Sequence, residues 1–331
     1  MRGGLLFLIG LCIALPTPAW PDDTREQAAE QARTLRGLWR GFRGQIGGAR
    51  VRLSQETFAG TEYGDTNLHW QSVGLSVTGA LPLPGDELRV ATSASTTLLV
   101  PTVGGSQRFL SPPGAHNAPL EELLDSALGL GSRLELGHGF RLTASAGLSA
   151  RHELGAEFTS AIATGGSLAL DYRRADWLRV RVGAGLGMGI DRARLAATPV
   201  FRLRLRIHPQ IWLETDATSG SIEWALSQRL YLRVFGGVDS KRYRLSKRSG
   251  RLGAGSIELR RSEVGIGIES RIGQSLRLTI GAIVVLGSHL SLLDENRKTI
   301  DARDTREPAG ALQISFEWRP LKPTGLEAEA R

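Results

Sequence analysis

The residues best placed to do chemistry in this chain are arginines spaced two apart. In Phe201-Arg202-Leu203-Arg204-Leu205-Arg206-Ile207, three guanidinium groups alternate with apolar side chains. Guanidinium holds anions by charge and by paired N–H donors. Three on one side of an extended segment could therefore bind an anion or line its path. A second set stands at one offset within a repeat: Leu88-Arg89-Val90, Phe140-Arg141-Leu142, Leu178-Arg179-Val180, Leu232-Arg233-Val234 and Leu276-Arg277-Leu278. Each copy follows a turn-like segment, such as Pro84-Gly85-Asp86, His138-Gly139 or Gly273-Gln274-Ser275. Leu213-Glu214-Thr215, after His208-Pro209, is a variant copy. Arg89, Arg141, Arg179, Arg233 and Arg277 are thus expected to form a ring.

Two other groupings hold the residue types of acyl hydrolysis, a serine, a histidine and an acid. They are Ser149, His152 and Glu153, and Ser288, His289 and Asp294. No nucleophile motif surrounds either, so the chain is not expected to be an enzyme. Gly183, Gly185, Gly187 and Gly189 alternate as strand residues and do not form a phosphate loop before a helix. The one cysteine, Cys12, lies in an apolar leader, so no thiolate metal site is expected in the mature chain, and no cofactor.

The elements that position the arginines follow from the same alternation. Successive strand side chains point to opposite faces. Trp177 to Ile190, Phe140 to Ala150, Leu276 to Leu286 and Leu312 to Trp318 all repeat with period two. One apolar face and one polar face mean antiparallel sheet, because a sheet buried on both faces reads as unbroken apolar runs. Glycine supplies 41 of 331 residues, which argues against a mostly helical chain. The apolar content excludes disorder, and a helical membrane protein is excluded because only one stretch is continuously apolar. The net charge is +8. The arginines alternate across strands and do not cluster, so no nucleic-acid partner is expected.

That apolar stretch, Leu5 to Leu15, follows Arg2 and precedes Pro16-Thr17-Pro18-Ala19, the layout of a secretory signal peptide over 1–19. Residues 20–48 read as a periplasmic or interfacial amphipathic segment. Its helix at 22–42 places Leu35, Leu38, Trp39 and Phe42 on one face. A shorter helix is expected at 119–130. Strands should start near residues 49, 68, 87, 130, 140, 160, 177, 200, 211, 221, 230, 256, 275 and 310, about fourteen in all. Short turns join them at one end. Longer connections, at 101–130, 151–158, 244–254 and 289–308, join them at the other.

With the exported N-terminus, the hairpin repeat and the last strand Gly310-Ala-Leu-Gln-Ile-Ser-Phe-Glu-Trp318, residues 49–318 resemble an outer-membrane β-barrel of a poorly characterised porin-like family. The resemblance implies that Gly310, Phe316 and Trp318 belong to the signal read by the barrel-assembly machinery. The tail 319–331 departs from it, since family members often end on the terminal aromatic.

The expected fold is therefore all-β: a closed antiparallel transmembrane barrel. An arginine on the lipid face costs about 2–4 kcal/mol near mid-bilayer. Arg202, Arg204 and Arg206 must then face the lumen, with Arg50, Arg52, Arg133, Arg181, Glu56, Glu135, Asp171, Glu214, Glu223, Glu263, Glu269 and Glu317. A soluble barrel, apolar inside and polar outside, is the structural rival. In function, a passive channel for small polar or anionic solutes in the outer membrane leads. A structural barrel with a filled lumen and a hydrolase at the rim are the alternatives.

Overall fold

The computed structural model describes residues 50–63, 66–81, 88–105, 122–190, 195–246, 255–294 and 296–319, without Gln274, Arg297 and Arg306. Side chains at 59–63, 66, 67, 80, 81, 88, 89 and 102–105 also lie outside the described set. The expected signal peptide, the helix at 22–42 and the tail beyond Arg319 fall outside the described residues.

Fifteen strand segments follow one another among the described residues: β1 (Arg50–Tyr63), β2 (Thr66–Leu81), β3 (Leu88–Gly105), β4 (Leu123–Gly137), β5 (Phe140–Glu153), β6 (Ile162–Arg174), β7 (Leu178–Met188), β8 (Ala196–His208), β9 (Ile211–Asp216), β10 (Ser219–Ala225), β11 (Leu230–Arg244), β12 (Ser256–Ile272), β13 (Leu276–Leu293), β14 (Thr299–Thr305) and β15 (Ala309–Trp318). Each pairs antiparallel with the next from β1 to β13. β13 then pairs with β15 over Leu276–Val285 and with β14 over Ser288–Leu293, so these two segments share one stave. β15 closes on β1, from Val51↔Trp318 to Phe58↔Ala311. The result is a closed barrel of fourteen staves, with both ends of the described chain on the short-turn side.

Two expectations need correction. Residues 123–130 are strand β4, not helix. The connection expected at 289–308 is mostly strand: β13 runs to Leu293 and β14 begins at Thr299. Both errors have one cause, an inward face that turns apolar at the long-loop end. Leu123, Leu290 and Leu292 are buried inside the barrel, so the expected apolar-out, polar-in alternation fails there.

The barrel thus has two zones. In the short-turn half the outward face is apolar: Leu53, Val73, Leu128, Val182, Ile266, Ile280 and Leu312 are all exposed, Val182 by 56%. In the long-loop half the inward face carries the core, with Phe58, Leu68, Trp70, Tyr243, Ile257, Leu259 and Leu290 packed together. The outward phase there holds the exposed Arg260, the half-exposed His289 and a buried ion pair between Arg242 and Glu258. The first zone has the membrane-barrel pattern and the second the pattern of the soluble rival.

The wall is uneven. β9 and β10 have only 6 and 7 residues. Their connection is a tight turn in which the Asp216 carboxylate accepts hydrogen bonds from the Thr218 and Ser219 amides at 3.0 and 2.9 Å. Beyond it β11 has no β10 partner and reaches β5 instead, pairing Arg244 with His152 in parallel.

Candidate functional site: the charged lumen

Strand alternation puts every arginine of the repeat whose side chain is described on the inward face. Register then decides what each one meets. Arg141 Nε lies 2.6 Å from Glu135, which also takes Arg133 Nη2 at 2.5 Å. Arg277 Nη1 lies 3.1 Å from Glu269, beside Arg271 at 3.5 Å. Arg233 bonds Ser221 at 3.2 Å and sits 5.8 Å over the Phe235 ring. The side chain of Arg89 is outside the described set. Arg141 and Arg277 thus have acids on neighbouring strands, and the repeat is not a uniform ring of free charge.

Arg179 differs. Among the described residues its side chain makes no ion pair and no hydrogen bond. It stands opposite Arg173 of β6 on one side and Arg204 of β8 on the other. The backbone fixes this row at its β5 edge. Gly139 has φ +83°, and a Cβ there would stand 2.3 Å from the Arg173 carbonyl oxygen. The Arg173 amide also donates to the Gly139 carbonyl at 2.9 Å. Only glycine accepts both the backbone angle and the approach.

The ladder on β8 is partly compensated. Arg202 pairs with Glu214. Arg204 Nη2 is 3.9 Å from Glu223, and its guanidinium lies 4.6 Å over the Trp212 ring. Arg206 lies 5.2 Å over the same ring and donates to the Pro209 carbonyl at 2.6 Å. Alternation from the lumenal Glu214 puts Trp212 on the inward face too, but does not show that its ring lies under two arginines. The register supplies that partner, Arg206↔Trp212.

Above the arginines lies a cavity of about 220 Å³. Arg52, Glu56, Lys241 and Arg261 line it together with neutral polar groups such as Ser72 and Gln313, and Phe58, Trp70, Tyr243 and Leu259 form its apolar wall. Arg261 sits 4.5 Å from the Phe58 ring centre and 5.5 Å from that of Trp70, with Asp239 at 3.5 Å and Glu56 at 4.0 Å. Lys241 Nζ reaches Asp125 at 3.4 Å. The aromatic and aliphatic side chains of this wall belong to the buried cluster of the long-loop half.

The hydrolase groupings do not assemble. Ser149 and His152 project to opposite faces of β5, and His152 Nδ1 is 3.0 Å from the Glu153 carbonyl oxygen. His289 lies 2.7 Å from Asp304, not Asp294, and faces outward while Ser288 faces in. Asp294 instead accepts the Lys298 amide at 2.7 Å. In the last strand Leu312, Ile314, Phe316 and Trp318 are all outward and exposed, and Gly310 pairs with Val284.

No family model matches the chain. No curated protein matches it. Among solved structures, an outer membrane channel from Pseudomonas putida F1 is similar at 9% identity and TM-score 0.45, over 84% of this chain and 97% of that one. The translocator domain of the autotransporter NalP from Neisseria meningitidis is similar at 13% identity and TM-score 0.39, over 92% and 100%. The KdgM porin is similar at 5% identity and TM-score 0.36, over 81% and 98%. At these values the similarity is one of barrel shape.

Proposed function

We propose that this protein is an outer-membrane channel for small polar or anionic solutes. Its short turns face the periplasm and its longer connections face outward. The observation that carries the reading is the pairing of opposite surfaces on the same strands. An exposed apolar belt wraps the short-turn half, and a charged, arginine-rich lumen fills the inside. A contiguous apolar belt of this extent has no role in water, and a charged inner face has none in a solid core. Charged linings favour ions of opposite sign, and apolar constrictions gate by excluding water. The arginines then form a vestibule, and the Phe58, Trp70, Tyr243 and Leu259 cluster is the constriction above it.

The same cluster favours a second reading, a structural barrel with a filled lumen. Single-channel recording from reconstituted protein separates the two. Discrete conductance steps that grow on Tyr243→Ala support a channel with this constriction. A folded barrel that stays silent with and without Tyr243 supports the structural reading. For orientation, a tag inserted at 294–298 should be accessible on intact cells and one at 273–274 should not. The reverse labelling contradicts the topology.

A further inference from the structure

We propose that Arg173, Arg179 and Arg204 form a discrete binding site for a compact, multiply charged anion of the phosphate type. The site lies in the short-turn mouth of the lumen. It rests on the channel reading only for the ligand's role as solute; the site itself rests on register.

The three arginines are directly opposite one another on β6, β7 and β8: Arg173↔Arg179 and Arg179↔Arg204. Adjacent strands stand about 4.8 Å apart, so the outer two Cα atoms are about 10 Å apart. Like charges directly opposite in a sheet destabilise it. This row holds three in succession before it meets an acid, Glu214 of β9, which stands opposite Arg204 and also pairs with Arg202. Arg173 pairs with Asp176 in the following turn. Arg204 has Glu223 at the limit of contact, 3.9 Å away. The Arg179 side chain makes no ion pair among the described residues; the charges around it are Arg173, Arg204 and Arg141, with one acid, Asp176, which is paired with Arg173.

Elsewhere in the lumen the same fold resolves the same problem differently. One level up, Asp171 stands between Arg141 and Arg181 in register and bonds Arg181 at 2.8 Å. An acid at the position of Arg179 would have braced this row in the same way, yet an arginine stands there.

The row is also organised in advance. Trp212 supports the Arg204 and Arg206 guanidiniums, at 4.6 and 5.2 Å from its ring centre. The Gly139 turn fixes the Arg173 backbone, and the Arg173 side chain is held by Asp176 and by the Ala175 carbonyl at 3.1 Å. Three guanidiniums on adjacent strands can surround a group with several anionic oxygens, which suits guanidinium's fork of donors. A monovalent halide would engage one of them. All three point into the lumen, so a bilayer headgroup outside the wall does not reach them and the ligand comes from solution.

Inorganic pyrophosphate is the probe, titrated calorimetrically into the folded full-length barrel in detergent at fixed ionic strength. Saturable binding with about one ligand per barrel is expected. Arg179→Gln should weaken it about tenfold or more, the usual scale for a lost charged hydrogen bond. Arg277→Gln removes a lumenal arginine that already has Glu269 and should leave affinity within about twofold. Arg179→Lys keeps the charge and should recover part of the loss. No binding by the unmodified protein, or equal weakening by Arg179→Gln and Arg277→Gln, overturns the site and leaves only diffuse charge. Because the titration needs no conduction, a silent barrel that binds pyrophosphate refutes the channel and keeps the site. A conducting barrel that does not bind it refutes the site alone.

Discussion

Lys241 Nζ of β11 lies 3.4 Å from Asp125 Oδ2 of β4, although six staves separate these strands along the sheet order. The pair crosses the lumen where β9 and β10 have ended and β11 leans toward β5. Asp125 also takes Arg151 Nε at 3.1 Å, so one carboxylate holds two cations. Asp125→Asn removes the carboxylate that the two cations share. Removing one partner of a buried ion pair costs on the order of 3 kcal/mol. Urea unfolding followed by tryptophan fluorescence should show a clearly lower midpoint for this variant. An unchanged midpoint means that the crossing pair does not hold the long-loop half together.

Phe235 lies across Gly265 of the neighbouring strand. A Cβ on Gly265 would stand 2.4 Å from the ring's Cζ atom. Gly265→Ala must displace the ring, and overpacking of this kind costs about 1–3 kcal/mol. Phe235→Ala should relieve the clash, so the double variant should be more stable than the sum of the single losses predicts. Strict additivity would show that the ring and the glycine do not meet.

Pro199 marks the free edge of the wall. The Arg206 amide donates to Trp177 of the turn before β7, so even-numbered amides of β8 point toward β7 and odd-numbered ones toward β9. At Leu203 the β9 partner is Thr215, but β9 ends at Asp216, opposite Arg202. Pro199 therefore lacks its N–H on the side where no strand remains, the place where a strand tolerates proline. Pro199→Ala should change thermal stability little. Leu203→Pro removes a donor within the β8–β9 ladder and should block formation of the heat-modifiable folded band on a cold gel. Equal behaviour of the two would contradict the register.

Facing is tested by neighbours in sequence on β13. Ile280 is 48% exposed on the outward belt, while Thr279 projects inward opposite Glu269. Ile280→Arg should cost about 2–4 kcal/mol if it sits near mid-bilayer. Thr279→Arg keeps its charge on the polar inward face and should fold normally. Refolding yields into lipid vesicles measure both. A reversed ranking places the belt on the wrong face.

How much of this was legible follows the two zones. Where Leu178, Val180 and Val182 alternate with Arg179, Arg181 and Gly183, the sequence states the strand, its facing and its lumenal charge outright. Its start is off by one residue. Where Leu123 and Leu124 stand side by side, one inside the core and one outside, period two disappears and a helix reads equally well. The same reversal hid β14. Pairing partners were not legible at all: Arg141 and Arg179 occupy the same place in the repeat. Only register reveals that one meets Glu135 and the other meets two more arginines.

The most direct test of the central claim is the reversal potential of the reconstituted barrel under a tenfold potassium chloride gradient in a planar bilayer. An arginine-lined vestibule predicts a reversal potential on the anion side. Arg179→Gln should shift it toward zero, and so should higher total salt, as the Debye length shrinks from about 10 Å at 0.1 M to about 3 Å at 1 M. A cation-selective potential, or a correctly folded barrel that carries no current at any voltage, contradicts the account.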